Sequence, residues 1–316
     1  MITFGPVPSR RLGRSLGINN IPPKFCSYSC VYCQVGRTLN MQIECKDFYE
    51  PDRILENVKD KVNKAAEKGE KIDYLAFVPD GEPTLDKNLG HTIELLKPLG
   101  IKTAVITNSS LIHRKDVREA LMKADWVSLK VDSTIEKVWH KTDRPHKKLE
   151  LNKILEGMID FKKEYQGELV TETLLVKDIN DTEENLEAIA NFLSRLQPAR
   201  AYLSIPTRPP AEDMVHSPDE LVINRSYQIL SKQIDHVEYL IGYEGNAFAT
   251  TGNIEEDLLS ITSVHPMREE AVKKLLLKTG DDWSAVQKLI NNGSIIESKH
   301  DGMNFYVRRF PRRKEV

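Results

Sequence analysis

The sequence predicts an α/β protein: a partial (β/α)6 barrel followed by a small winged-helix-like domain. Three observations carry this. Short apolar runs alternate with charged segments of helical period, the pattern of repeated βα units around a mostly parallel sheet. The 316 residues give enough length for one large domain and one small one. Past about residue 245 the pattern changes to two short helical segments and a hairpin.

The strands are expected near residues 16–19, 74–78, 103–107, 126–131, 170–176 and 201–205. Between them, residues 52–68, 88–99, 115–123, 152–165 and 182–196 are apolar on one side and charged on the other, as helices covering a sheet are. These make up a barrel domain over residues 1–245. Residues 246–316 follow, with a linker near Thr250, helices at 268–279 and 282–291, and strands at 295–299 and 304–310 around a His300-Asp301-Gly302 turn. Helix, helix, hairpin is the order of a winged helix. Its hairpin and tail carry Arg308, Arg309, Arg312, Arg313 and Lys314, a basic cluster suited to RNA or DNA phosphates or else simply solvated.

Composition excludes several classes. A net charge of −2 with 40% hydrophobic and 29% charged residues is ordinary for a soluble chain and not that of a general polyanion binder. There is no apolar run of about 18 residues to span a bilayer. The start Met1-Ile2-Thr3 shows no apolar signal segment. A reducing cytoplasm is the expected location.

Three of the four cysteines, Cys26, Cys30 and Cys33, form a C-x-x-x-C-x-x-C run. Three close thiolates can hold three corners of a cubic iron–sulfur cluster and leave the fourth iron open to a small ligand. Structural zinc calls for four ligands, usually in two paired motifs, and no second pair follows. Disulfides suit secreted chains, and three neighbouring cysteines pair badly. Phe25, Tyr28 and Tyr32 interleave with the cysteines and are placed to shield a cluster from water. Cys45 reads as an ordinary buried thiol.

In parallel barrels the chemistry sits at the carboxyl ends of the strands, so the polar residues there are the candidates. After the second expected strand comes Asp80-Gly81-Glu82-Pro83-Thr84, either a plain turn or a loop whose glycine admits close backbone approach and whose carboxylates accept from an ammonium group. The third ends in Thr107-Asn108-Ser109-Ser110, where Asn108 and Ser110 suit sugar hydroxyls or helix caps. Period-two alternation puts Ser128, Lys130 and Asp132 on one face, as an ion pair or a ligand site. Glu172 interrupts the fifth strand and is expected to face the lumen. Arg10, Arg11 and Arg14 form an arginine loop before the cysteines, and Arg208 follows the sixth strand; both read as anion contacts or as a solvated loop and a lid hinge.

The cysteine run, the Asp80-Gly81-Glu82 loop and the order of βα units together resemble the radical S-adenosylmethionine (SAM) enzymes, with aspartate in place of the first glycine of their G-G-E-type motif. The resemblance implies a 4Fe-4S cluster on Cys26, Cys30 and Cys33, with SAM chelated at the open iron. It implies that Asp80, Gly81 and Glu82 meet the methionine ammonium, and that Asn108, Ser110, Lys130, Asp132 and Glu172 neighbour the rest of the cofactor. It also implies reductive cleavage of SAM to a 5′-deoxyadenosyl radical, with flavodoxin or ferredoxin as electron donor. Cys30-Val31-Tyr32-Cys33-Gln34, Gly81-Glu82-Pro83-Thr84 and Asp143-Arg144-Pro145 are most similar to the wyosine-base-forming tRNA enzymes and their relatives, over roughly residues 1–245. Those enzymes carry further cysteines for a second cluster. Only Cys45 is left over here, so their pyruvate-dependent chemistry is not implied. The expected substrates are a tRNA nucleoside, a peptide or a small metabolite. The alternative is a non-catalytic iron–sulfur redox sensor whose winged helix reads DNA.

Overall fold

The structure, a computed structural model, describes residues 2–241, 248, 250, 253–264, 266–300 and 302–309. An eight-stranded sheet organises it. The strands are β1 (Thr3–Ser9), β2 (Gly13–Ile18), β3 (Tyr74–Phe77), β4 (Lys102–Thr107), β5 (Trp126–Lys130), β6 (Glu168–Leu174), β7 (Arg200–Ser204) and β8 (Val237–Leu240), hydrogen-bonded in that order. The β1–β2 pair is antiparallel and every later pair is parallel.

All six expected strands are present, and β1 and β8 extend the sheet at its two ends. The covering helices are α1 (Pro51–Glu67), α2 (Leu89–Leu96), α3 (Lys115–Leu121), α4 (Glu136–Asp143), α5 (Leu151–Glu164), α6 (Glu183–Leu196) and α7 (Glu220–Ser231). Local sequence explains their ends. Pro51 occupies the first turn of α1, where its missing N–H goes unneeded. The Thr182 side chain caps α6 by accepting from the Asn185 N–H, with Glu183 and Glu184 in its positive first turn.

Alternation along each strand separates two apolar layers. Leu75, Phe77, Val105, Val127, Leu129 and Leu203 pack outward in the large core under the helices. Ala76, Ala104, Trp126, Val170, Tyr202 and Leu240 pack inward as the barrel floor. Continuing the inward parity to the carboxyl ends brings Val78, Ile106, Lys130, Glu172 and Ser204 to the rim of a cavity. The floor is apolar, and the rim turns polar from β5 to β7, at Lys130, Glu172 and Ser204.

The C-terminal segment holds α8 (Ile254–Val264), β9 (Met267–Arg268), α9 (Glu269–Thr279), α10 (Trp283–Asn291), β10 (Ile295–His300) and β11 (Met303–Arg308), with sheet order β9-β11-β10. The expected helix, helix, hairpin order is there, preceded by α8. This unit shares its core with the start of the chain: Phe4 and Val7 of β1 belong to one buried cluster with Leu258, Ile261, Val272, Leu275, Leu289 and Tyr306. The Phe4 ring fits because residue 17 is glycine, where a Cβ would stand 1.9 Å from the ring. α8 thereby covers β1, which would otherwise be an open sheet edge. The expected boundary near residue 245, the turn at 242–246, Asp301, and the tail residues Arg312, Arg313 and Lys314 lie outside the described residues. Arg308, half-buried, donates from Nη1 to the Leu259 carbonyl at 2.9 Å and pins β11 to α8.

Candidate functional site

The cysteine loop leaves β2 and crosses the carboxyl edge of the sheet, anchored on two sides. On one side the loop after β3 grips it: the Lys24 N–H donates to the Asp80 carbonyl at 2.8 Å and the Glu82 N–H to the Phe25 carbonyl at 3.0 Å. A Cβ at Gly81 would lie 1.9 Å from that Phe25 carbonyl oxygen, so only glycine allows this approach beside Cys26. On the other side the Val31 N–H donates to the Thr142 carbonyl at 2.9 Å, and the His146 N–H to the Ser27 carbonyl at 2.9 Å.

Cys26, Cys30 and Cys33 line one wall of a cavity of about 310 Å³. Asp80, Gly81, Glu82, Asn108, Lys130 and Glu172 line it too, together with Lys24, Tyr32, Arg10, Arg11, Ser204 and Arg208. Ser110 and Asp132 do not. Ser110 is fully buried, with its hydroxyl 2.5 Å from that of Ser27, and so braces the cysteine loop from behind. Asp132 lies beneath Tyr32, whose hydroxyl donates to it, and accepts from the Leu174 N–H at 2.7 Å.

The carboxylates of the cavity differ in their partners. Glu82 is buried, and its two oxygens accept from the Thr84 N–H at 3.0 Å, the Thr84 hydroxyl at 2.6 Å, the Thr107 hydroxyl at 2.6 Å and the Asn108 N–H at 2.7 Å. Three of these donors meet Oε1 and one meets Oε2, so this side chain ties the ends of β3 and β4 together at the wall of the cavity. Glu172 accepts from Arg11, from Lys130 Nζ at 3.2 Å and from the Ser204 hydroxyl at 2.9 Å, which carries an arginine of the β1–β2 turn across the lumen to β6. Lys130 also stands 3.6 Å from Asp132, the expected partner, so it pairs with both carboxylates.

Asp80 is the exception. Its Oδ1 is buried with no hydrogen-bond partner among the described residues, and burial pushes its carboxyl up to about 7 against the opposing pull of Lys24. A folded-state value above the unfolded one means that stability falls as pH rises from about 4 to 7, where the unfolded carboxyl has already lost its proton and the folded one still holds it. Asp80→Asn removes this penalty. In the cluster-free protein it is expected to add up to about 4 kcal/mol at pH 8, given about 1.4 kcal/mol per pH unit, and little near pH 4. Urea denaturation at both pH values measures the difference; an equal effect at both would contradict it.

The residues present fit an iron–sulfur group. Three thiols line one wall of the cavity and, among the described residues, no fourth cysteine or histidine joins them in its lining, a donor set that suits three corners of a cluster better than a four-ligand zinc. Burial pushes the Cys26 thiol up to about 12, with Glu82 adding to it, and raises Cys30 and Cys33 as well. The thiols therefore stay protonated until a metal group displaces their protons. Asn108 Nδ2 is 3.5 Å from Cys26 Sγ, close enough to orient that sulfur.

Sequence reasoning missed several contacts of the site. Lys24 signals nothing beyond its nearness to Cys26, Ser204 is simply the last residue of a strand, and Asp143 drew notice only within a motif. Of the strap at 206–219, the sequence pointed only to its first residues, around Arg208. The strap is latched by Arg208 Nη1 to Gln34 at 2.7 Å, and by Glu212 to Arg37 at 2.7 Å and Arg144 at 2.5 Å.

A curled, mostly parallel sheet that gathers three cysteine sulfurs and a polar rim at its carboxyl edge defines a class: half-barrel enzymes built around a metal–sulfur group. The chain belongs to the radical SAM superfamily, whose family profile matches residues 20–193. A UPF0026 protein of Methanocaldococcus jannaschii is 50% identical over 314 residues, covering 99% of this chain and 97% of its own. A second UPF0026 protein, from Helicobacter pylori strain 26695, is 32% identical over 315 residues, covering 96% of this chain and 97% of its own. Among solved structures, a radical SAM methyltransferase from Sphaerobacter thermophilus shares the fold with a TM-score of 0.57 and 16% identity, over 72% of this chain and 66% of that one. TYW1 with a lysine-pyruvate adduct bound does so with 0.54 and 19%, over 70% and 74%. No described helix is long and apolar enough to cross a membrane.

Proposed function

We propose that Cys26, Cys30 and Cys33 hold a 4Fe-4S cluster that cleaves SAM reductively, and that the radical so made acts on a substrate seated in the cavity, a tRNA nucleoside first and a peptide or small metabolite next. The carrying observation is the single cavity that the three sulfurs share with Asp80, Lys130 and Glu172 at the carboxyl ends of the strands. When bound, the cluster and SAM supply an electron and a 5′-deoxyadenosyl radical, chemistry that no side chain provides.

The chain's own residues bind, aim and exclude water. The unpartnered Asp80 oxygen is the acceptor that a methionine ammonium needs. Asn108 and Lys130 supply donors for carboxylate or ribose oxygens. The Ala76, Trp126 and Tyr202 floor closes the far end to solvent, and the 206–219 strap narrows the mouth. A flavodoxin or ferredoxin supplies the electron, and the compartment is the cytoplasm.

The tRNA preference is supported by the cysteine, Gly81-Glu82-Pro83-Thr84 and Asp143-Arg144-Pro145 motifs and by the likeness in fold to TYW1. The C-terminal unit is a winged helix in element order. Its acidic and basic side chains nearly cancel over residues 253–309, and Lys288, the one basic residue of α10, is paired with Glu255 at 2.6 Å. The pairing of Lys288 supports the enzyme over a DNA-reading sensor, whose recognition helix would present basic residues to the groove. Anaerobic reconstitution with iron and sulfide, followed by SAM and dithionite, is expected to yield 5′-deoxyadenosine. None above background with the cluster intact would overturn the enzyme reading, and RNA that co-purifies and is altered in the reaction would rank the substrates.

A further inference from the structure

Asp143 is the last residue of α4, where a carboxylate meets the negative end of the helix dipole, so helix stability does not explain it. It is also only 3% exposed and lies near a second acid, Asp132. What surrounds it is the cysteine loop. Its Oδ1 accepts from the Cys30 thiol at 3.3 Å and from the Tyr32 hydroxyl at 3.2 Å. Its carbonyl and that of Arg144 both accept from the Ser29 N–H, at 3.1 and 3.2 Å, and the preceding carbonyl, of Thr142, accepts from Val31. Arg144 takes up a left-handed conformation, φ 46°, that lets both carbonyls turn to the loop, and its guanidinium is held by Glu212.

We propose that Asp143 is a positioning residue for the metal-binding loop, its carboxyl setting the direction in which the Cys30 sulfur and the Tyr32 hydroxyl face the cavity. Main-chain bonds at residues 29 and 31 place the backbone on either side of Cys30, but they leave the side-chain torsion of Cys30 open. Among the described residues, the Asp143 carboxyl is the side-chain group that hydrogen-bonds the Cys30 sulfur. The same oxygen, together with Asp132, holds the Tyr32 ring where Lys130 Nζ lies 5.0 Å from its centre, so the aromatic wall and the middle sulfur share one anchor. The proposal rests on the cluster reading only for its consequence in the loaded protein; the anchor itself is testable without iron.

The test is competitive iodoacetamide labelling of the cluster-free full-length chain, read per cysteine by peptide mass spectrometry with Cys45 as internal standard. Asp143→Ala is expected to speed Cys30 labelling about tenfold, the effect of losing a hydrogen bond of about 1.4 kcal/mol, with Cys26 and Cys33 much less changed. Asp143→Asn, which keeps shape and acceptor without the charge, should stay within about twofold of the parent. Should the alanine variant fail to fold, Asp143→Ser, too short to reach the sulfur, takes its place. Acceleration of all three cysteines alike, no acceleration, or an asparagine variant as fast as alanine would overturn the proposal, the last because charge alone would then explain the rate. In reconstituted protein the midpoint potential of the cluster should move with Asp143→Ala and return with Asp143→Asn. Absence of SAM cleavage by the reconstituted parent protein, with labelling as expected, would sink the enzyme reading and leave the anchor standing.

Discussion

Alanine at Cys26, Cys30 or Cys33 should abolish the visible absorbance of the reconstituted cluster, whereas alanine at Cys45 should leave it intact. The three cysteines line one cavity, and in the proposed cluster each would hold a separate corner, so removing any one would leave two protein anchors. Cys45 is absent from the cavity wall; its thiol donates to the Thr84 carbonyl at 3.3 Å, behind the Glu82 loop. Losing that neutral hydrogen bond costs about 1 kcal/mol of stability and no iron. The measurement is the absorbance and iron content of each anaerobically reconstituted variant. A cluster that survives Cys30→Ala, or vanishes only with Cys45→Ala, would require a different ligand set.

Glu82→Ala should be the most damaging single change outside the cysteines, destabilising the protein by about 3–5 kcal/mol in denaturant titrations. Four donors meet this carboxylate in a dry environment. Its removal leaves the Thr84 and Asn108 N–H groups stranded, along with two hydroxyls that can turn elsewhere. Glu82→Gln is the informative partner. One amide oxygen can replace Oε1 toward Thr84 and Thr107, but the amide nitrogen then confronts the Asn108 N–H, so an intermediate loss of about 2 kcal/mol is expected. Burial raises the Glu82 carboxyl while its donors lower it, and the net direction is upward. If Glu82→Ala unfolded at the parent's urea midpoint while SAM binding disappeared, the side chain would be a ligand contact and not a tie between β3 and β4.

The buried parallel strands were legible because each is a nearly continuous apolar run flanked by amphipathic helices. Tyr74–Phe77 and Trp126–Lys130 could hardly be anything else. β1 was not legible: Gly5, Pro6 and Pro8 fall within seven residues and imitate a turn, and the strand exists because α8 and β2 cover it. β8 has four residues, one of them Glu238, too few for a periodic signal. Within the site, Cys26, Cys30 and Cys33 declare themselves because metal chemistry is written in residue type and spacing. Glu82 and Asp80 are two positions apart in the same loop, yet one accepts from Thr84, Thr107 and Asn108 while an oxygen of the other is buried without a donor among the described residues, and no local pattern separates them. Asp143 meets Cys30 across 113 positions of sequence, a contact that only the fold creates.

The pairing of Phe4 and Val7 with a core built mostly from residues beyond 253 has a consequence for biosynthesis. During synthesis β1 is made about 250 residues before α8, and its apolar face waits that long to be buried. Residues 13–240 can meanwhile condense around their own larger core. Until the last helices appear, a greasy edge beside the future cluster loop stays open to chaperones or to other unfinished chains.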